Sequence, residues 1–83
     1  MLFQQKCTIS QRPVTVEFYR LYSSYKIIAI FDDACKETLE IPEAEGTEFF
    51  SSHNYDYQGI AGMLIIEDGK LVVDLPTKKS PSF

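Results

Sequence analysis

Apolar and polar residues alternate with a period of two along most of this chain, the mark of strands that bury one face. The alternation is weak from Leu2 to Ile9, where Phe3, Cys7 and Ile9 share a parity. Ser10-Gln11-Arg12-Pro13 reads as a turn. In Val14-Thr15-Val16-Glu17-Phe18 the alternation is clean, and this strand is expected to run on to Tyr22. Ser23-Ser24 breaks the pattern before a further strand from Tyr25 to Phe31. A tight turn at Ser23-Ser24 pairs Phe18 with Ala29 and Val16 with Phe31, which keeps apolar partners on one face. A four-residue loop is the alternative, because Ser-Ser lacks the Gly or Asn that two-residue hairpins favour.

Asp32-Asp33 supplies the next turn. Lys36 to Ile41 follows as a strand with Leu39 and Ile41 on one face, and Pro42 stops it. Pro42 to Gly46 reads as loop. Thr47 can cap a short helix near residues 47–52, with acids in its first turn and Ser51-Ser52-His53-Asn54 ending it. The clearest element is the last. Met63 to Glu67 and Lys70 to Leu75 flank Asp68-Gly69, a type I′ hairpin signature. It pairs Glu67 with Lys70, Ile66 with Leu71, Ile65 with Val72 and Leu64 with Val73, which leaves both faces apolar. Such a hairpin must be central, covered on both sides, or part of an interface. Gly59 and Gly62 before it suggest a sharp backbone turn. Pro76 closes the domain, and residues 77–83 are expected to form a mobile C-terminal tail. The pattern predicts a single β-rich domain over residues 1–76. Its class is all-β, or a β-dominated α+β fold: about six strands in a small antiparallel barrel or curled sheet, with at most one short helix.

Size and charge sharpen this picture. A chain of 83 residues buries about 60% of its unfolded surface, so its core is modest. Six Phe and five Tyr help, because each ring buries a large area. The net charge of −4 conceals an asymmetry. Residues 1–30 carry four basic side chains against Glu17 alone, whereas residues 31–60 carry Lys36 against eight acids. A basic first third beside an acidic middle points either to a charged partner or to a solvated face. The N-terminus lacks the unbroken apolar run of a secretory leader, and the run Ile27–Phe31 is too short to cross a bilayer. The expected location is therefore cytoplasmic. There Cys7 and Cys35 are expected to be small buried hydrophobes rather than a disulfide.

Candidate chemistry is sparse, and no family motif is recognisable. His53, the only histidine, could act as a general base only if a nucleophile such as Cys7 or a serine were brought to it. The carboxylates match no calcium loop, the glycines form no phosphate cradle, and two thiols with one histidine lack zinc spacing. No catalytic residue, metal or cofactor is expected. Two binding readings remain. Tyr19, Tyr22 and Tyr25 with Arg12, Arg20 and Lys26 could serve a nucleic-acid-binding barrel, although twelve acids against eight basic residues oppose contact with phosphates. The acidic middle is the stronger lead. Glu37, Glu40, Glu43, Glu45 and Glu48, with Phe49, Tyr55 and Tyr57, form a candidate docking surface for a protein with a basic surface. The bland counterpart is an edge strand and loop kept soluble by charge. The expectation is a small acidic, non-enzymatic interaction protein that inhibits or regulates such a partner. Self-association through the Met63–Leu75 hairpin, or service as a structural subunit, is the third possibility.

Overall fold

A computed structural model describes residues 1–74. Residues 75–83 lie outside the described residues, and with them the expected tail, Pro76 and the last position of the expected hairpin. Four strands, β1 (Phe3–Ile9), β2 (Arg12–Arg20), β3 (Ser24–Phe31) and β4 (Lys36–Pro42), form an antiparallel sheet in sequence order. Two helices, α1 (Glu43–Ser52) and α2 (Tyr57–Ala61), lead to a separate hairpin of β5 (Leu64–Glu67) and β6 (Lys70–Val73). The protein is thus a β-dominated α+β fold, and neither sheet closes into a barrel. The hairpin lies with β6 beside β4 and β5 beside β1, without a ladder to either.

The inner face of the large sheet carries Val14, Val16 and Phe18 of β2 and Tyr25, Ile27, Ala29 and Phe31 of β3, all buried. These are the positions that the period-two pattern assigns to one face. The β2–β3 register differs from that of the tight turn. Val16 pairs with Ala29 and Phe18 with Ile27, because Leu21 to Ser24 make a wider connection closed by Leu21 N–H donating to Ser24 O (2.8 Å). A slip of two residues preserves parity, so the inward face survives the correction. Tyr22 stands at the tip of this connection, 98% exposed. The outer face holds Thr15, Glu17, Tyr19, Lys26, Ile28 and Ile30, all half-buried, as expected of an antiparallel sheet wet on one side.

The largest correction concerns residues 43–61. The helix begins at Glu43, straight after Pro42, so Thr47 is not its cap. Pro42 ends the strand, and Glu43 and Glu45 in the first turn favour the positive end of the helix dipole. Gly46, read as loop, is a buried helix residue. A Cβ there would sit 2.3 Å from Tyr25 Cδ1, so the missing side chain is what lets α1 lie against the Tyr25 ring. A second helix, absent from the sequence expectation, is capped by Asp56, whose Oδ1 accepts from Gly59 N–H (3.1 Å). It buries Ile60 and Ala61.

The final hairpin has the expected register at every pair. Asp68 (φ 56°) and Gly69 (φ 75°) both lie in the left-handed region that a type I′ turn requires. It packs on the core by one face, with Leu64 and Leu71 buried and Ile66 and Val73 half-buried; Ile65 and Val72 point the other way and stay half-exposed. The two cysteines are free: Cys7 is half-buried on β1, but Cys35 is exposed, contrary to the expectation that both are buried. Cys35 lies in the tight β3–β4 turn, where its N–H donates to Asp33 Oδ1 (3.1 Å).

Candidate functional site

The helix α1 separates two differently built regions. On one side, Phe50 enters the core, where its ring meets Tyr25 (4.9 Å between centroids), Tyr57 (5.5 Å) and Phe18 (6.1 Å). Tyr57 also stacks on Phe3 (5.8 Å). On the other side, Glu45 and Phe49, one turn apart, line an open groove of about 240 Å³ together with Leu39 and Ile41 of β4 and Val72 and Val73 of β6. Five of these six lining side chains are apolar, and Glu45 is the only charged one.

The five glutamates proposed from the sequence do not share one surface. Glu40 faces outward from β4 and accepts a hydrogen bond from Ser24 Oγ (2.7 Å). Glu43 is bound by the Arg20 guanidinium, which also donates to Tyr25 Oη (2.8 Å) and lies over that ring. Tyr25 Oη in turn sits 3.2 Å from Thr47 Oγ1. These contacts tie the β2–β3 hairpin to the start of α1. Glu37, Glu45 and Glu48, by contrast, form no ion pair or side-chain hydrogen bond among the described residues. Glu45 lines the groove. Glu48 is one turn on along α1, on the solvent side of the Glu45–Phe49 strip. Glu37 lies on the same face of β4 as Leu39 and Ile41, two residues before Leu39. Of the unengaged acids, Glu45 lines the groove, and Glu37 and Glu48 lie on the strand and the helix that form two of its walls, whereas Glu40 and Glu43 are engaged elsewhere.

The aromatic candidates also divide. Phe49 lines the groove and packs on His53 (4.7 Å between centroids). Tyr57 belongs to the core cluster, and this desolvation pushes its phenol pKa up. Tyr55 is 49% exposed in the turn between the helices, with a left-handed φ of 53°. His53 closes α1: its Nδ1 lies 2.9 Å from Phe49 O and 3.2 Å from Ser52 Oγ. No nucleophilic thiol is among its hydrogen-bond partners. No group of three His, Cys, Asp or Glu side chains is arranged to hold a metal ion among the described residues.

The basic and tyrosine residues of the first hairpin are likewise dispersed. Tyr25 is core, and Arg20 is engaged by Glu43. Arg12 pairs with Asp33 (3.1 Å) and Asp32 (3.7 Å) and covers the Phe31 ring. Tyr19 donates to Glu17 Oε1 (2.7 Å), and this acceptor raises its pKa. A second hollow of about 290 Å³ lies at the turn end of the sheet between Lys6, Cys7, Val14, Phe31 and Asp32, among others. It opens toward charges of both signs.

The β6 wall of the groove was invisible in sequence, because Val72 and Val73 lie over thirty residues from Leu39. The available signal was the two-faced apolar hairpin, which had to be covered or used. Comparison with known protein families, curated proteins and solved structures returns no match. No helix among the described residues is long and apolar enough to cross a membrane.

Proposed function

We propose that this protein is a non-enzymatic interaction module that binds a protein with a basic surface and thereby blocks or regulates it. The observation that carries this reading is the segregation of the acids. Those satisfied by Ser24 and Arg20 are turned to other contacts, whereas Glu45 lines an open apolar groove and Glu37 and Glu48 lie on its strand and helix, all three without a side-chain partner among the described residues. Apolar anchors inside a charged rim are the usual anatomy of a binding site: the centre supplies affinity, and the rim supplies steering and orientation. Self-association through this surface is disfavoured, because a two-fold contact would set the same acid rim against itself.

The test is affinity capture from the cell of origin with the full chain, followed by titration of the recovered protein. Wild type is compared with Glu37→Gln/Glu45→Gln/Glu48→Gln and with Glu40→Gln/Glu43→Gln. A basic protein held by wild type and by the double variant, but lost with the triple variant and weakened by salt, is the expected result. Equal recovery with the triple variant would mean that these acids serve solubility alone.

A further inference from the structure

Resting on that reading, we infer that the β4–α1–β6 groove is a socket for one apolar side chain presented between Lys or Arg residues on a short segment of the partner. Three observations lead there. The first is volume. Sites for small molecules and cofactors typically enclose about 300–1,000 Å³. At about 240 Å³ and open to solvent, this groove is smaller than that and better matched to one or two side chains. The second is lining. Leu39, Ile41, Phe49, Val72 and Val73 offer an apolar floor with no hydrogen-bonding side chain besides Glu45 among the described residues. A polar ligand would leave its own groups unsatisfied there. The third is charge. The one polar residue among the described lining is an acid, Glu45; Glu48 follows it one turn on along α1 and Glu37 precedes Leu39 by two residues on β4, and none of the three has a side-chain partner among the described residues. No basic residue lines the groove among the described residues.

The floor and the rim make different demands. The floor asks for a branched aliphatic or aromatic anchor, as in the buried pockets where interface hot spots sit. The rim asks for cations on both sides of that anchor, spaced to reach β4 on one side and α1 on the other. A flat basic surface such as a phosphate-binding face would satisfy the rim but leave the floor wet. A segment with a Leu, Ile, Met or Phe between lysines satisfies both. Loss of the anchor should raise the dissociation rate, whereas loss of rim charge should slow association and reduce its salt dependence.

Methyl and amide NMR of the full chain tests this with the synthetic peptide Ser-Lys-Lys-Leu-Lys-Ser, acetylated and amidated at its ends. Two controls replace Leu by Ala and the three Lys by Glu. The expected result is saturable shifts confined to Leu39, Ile41, Phe49, Val72 and Val73, with the Ala peptide about tenfold weaker or worse and the Glu peptide silent. Val73→Thr keeps the shape of the wall while adding a hydroxyl, and it should weaken the Leu peptide with an otherwise unchanged spectrum. Several outcomes overturn the socket: no shifts with any peptide, shifts elsewhere on the molecule, or equal response to the Leu and Ala forms. So does a groove already occupied by a second copy or by another part of this chain, seen as concentration-dependent shifts or as protection without peptide. If the socket fails while the triple Gln variant still loses its captured partner, the basic-partner reading stands and only the mode of recognition is wrong. If the peptides bind as expected but capture is indifferent to the acids, the reverse holds.

Discussion

The final hairpin meets the sheet along two flanks, one sealed and one open. Beside β1, α2 fills the space: Tyr57 stacks on Phe3 and meets Phe18 and Phe50, and Ile60 and Ala61 are fully buried. Beside β4 no element among the described residues plays that part. Leu39, Ile41, Val72, Val73 and Phe49 remain half-buried around the groove. A domain this small has little apolar surface to leave unburied. Its aromatic side chains nonetheless concentrate on the sealed flank, while the open flank keeps apolar walls and unengaged acids. Core packing and the groove proposed for recognition thus lie on opposite sides of one helix, with Phe50 facing the first and Phe49 the second.

Truncating these neighbours is the strongest way to break that comparison. Phe50→Ala should destabilise by about 3–5 kcal/mol, because Phe50 is 1% exposed and packs on the core rings of Phe18, Tyr25 and Tyr57 as well as on Phe49. Phe49→Ala should cost about 1–2 kcal/mol, since much of its ring already faces the groove. Urea unfolding of both variants measures the difference. Similar losses would mean that the open flank is as structural as the sealed one.

Gly46→Ala probes the helix that divides the flanks. Alanine ordinarily favours a helix over glycine by about 1 kcal/mol. Here its Cβ would meet the Tyr25 ring at 2.3 Å, and that ring is fixed by Arg20, Thr47 and Phe50. Overpacking should prevail, with a net loss of about 1–3 kcal/mol in the same assay. A gain in stability would show that α1 can lift toward the groove.

Much of this architecture could be read from the chain, and the exceptions at the site share a cause. The Asp68-Gly69 hairpin was legible to the residue because a turn with two left-handed positions calls for those residue types. The inward faces of β2 and β3 were legible because parity survives a two-residue slip. Helix α1 was misplaced because Gly46 looks like a breaker until the distant Tyr25 ring is set against it. At the candidate site, the acid-rich stretch was visible, but its division was not. Ser24 and Arg20 claim Glu40 and Glu43 across the sheet and its hairpin, and Val72 and Val73 complete the groove from the far end of the chain. At the site each failure is a long-range contact overriding a local signal, whereas the missed helix α2 rests on a local cap, Asp56 accepting from Gly59.

The turn closing β1, the strand of the sealed flank, carries a cost that can be relieved. Ser10 (φ 54°) and Gln11 (φ 66°) adopt the same left-handed pair as Asp68-Gly69, without a glycine. Left-handed backbone costs a non-glycine residue about 1–2 kcal/mol. Gln11→Gly should therefore raise stability by up to about 1 kcal/mol, after the extra unfolded-state entropy of glycine is offset. Thermal unfolding would show this, and the groove resonances should not move. Shifts at Leu39 or Val73 would reveal that the flanks are coupled.

The two thiols report on the flanks with the smallest perturbation. Cys7 sits half-buried on β1, and burial pushes its pKa up. Cys35 is exposed just before β4, but the hydrogen bond and the negative charge of Asp33 raise its pKa as well. Only the thiolate reacts, so a raised pKa slows alkylation at neutral pH. Cys35 should be modified first because it is accessible, and Asp33→Asn should speed it by lowering its pKa while leaving Cys7 unchanged. Cys7, half-buried beside the second hollow, should follow more slowly, and its rate should rise in Phe50→Ala and stay unchanged in Phe49→Ala. Mass-resolved iodoacetamide labelling gives both rates in one experiment. Equal acceleration of Cys7 by the two Phe variants would show that the flanks open together, and the division of labour between them would fail.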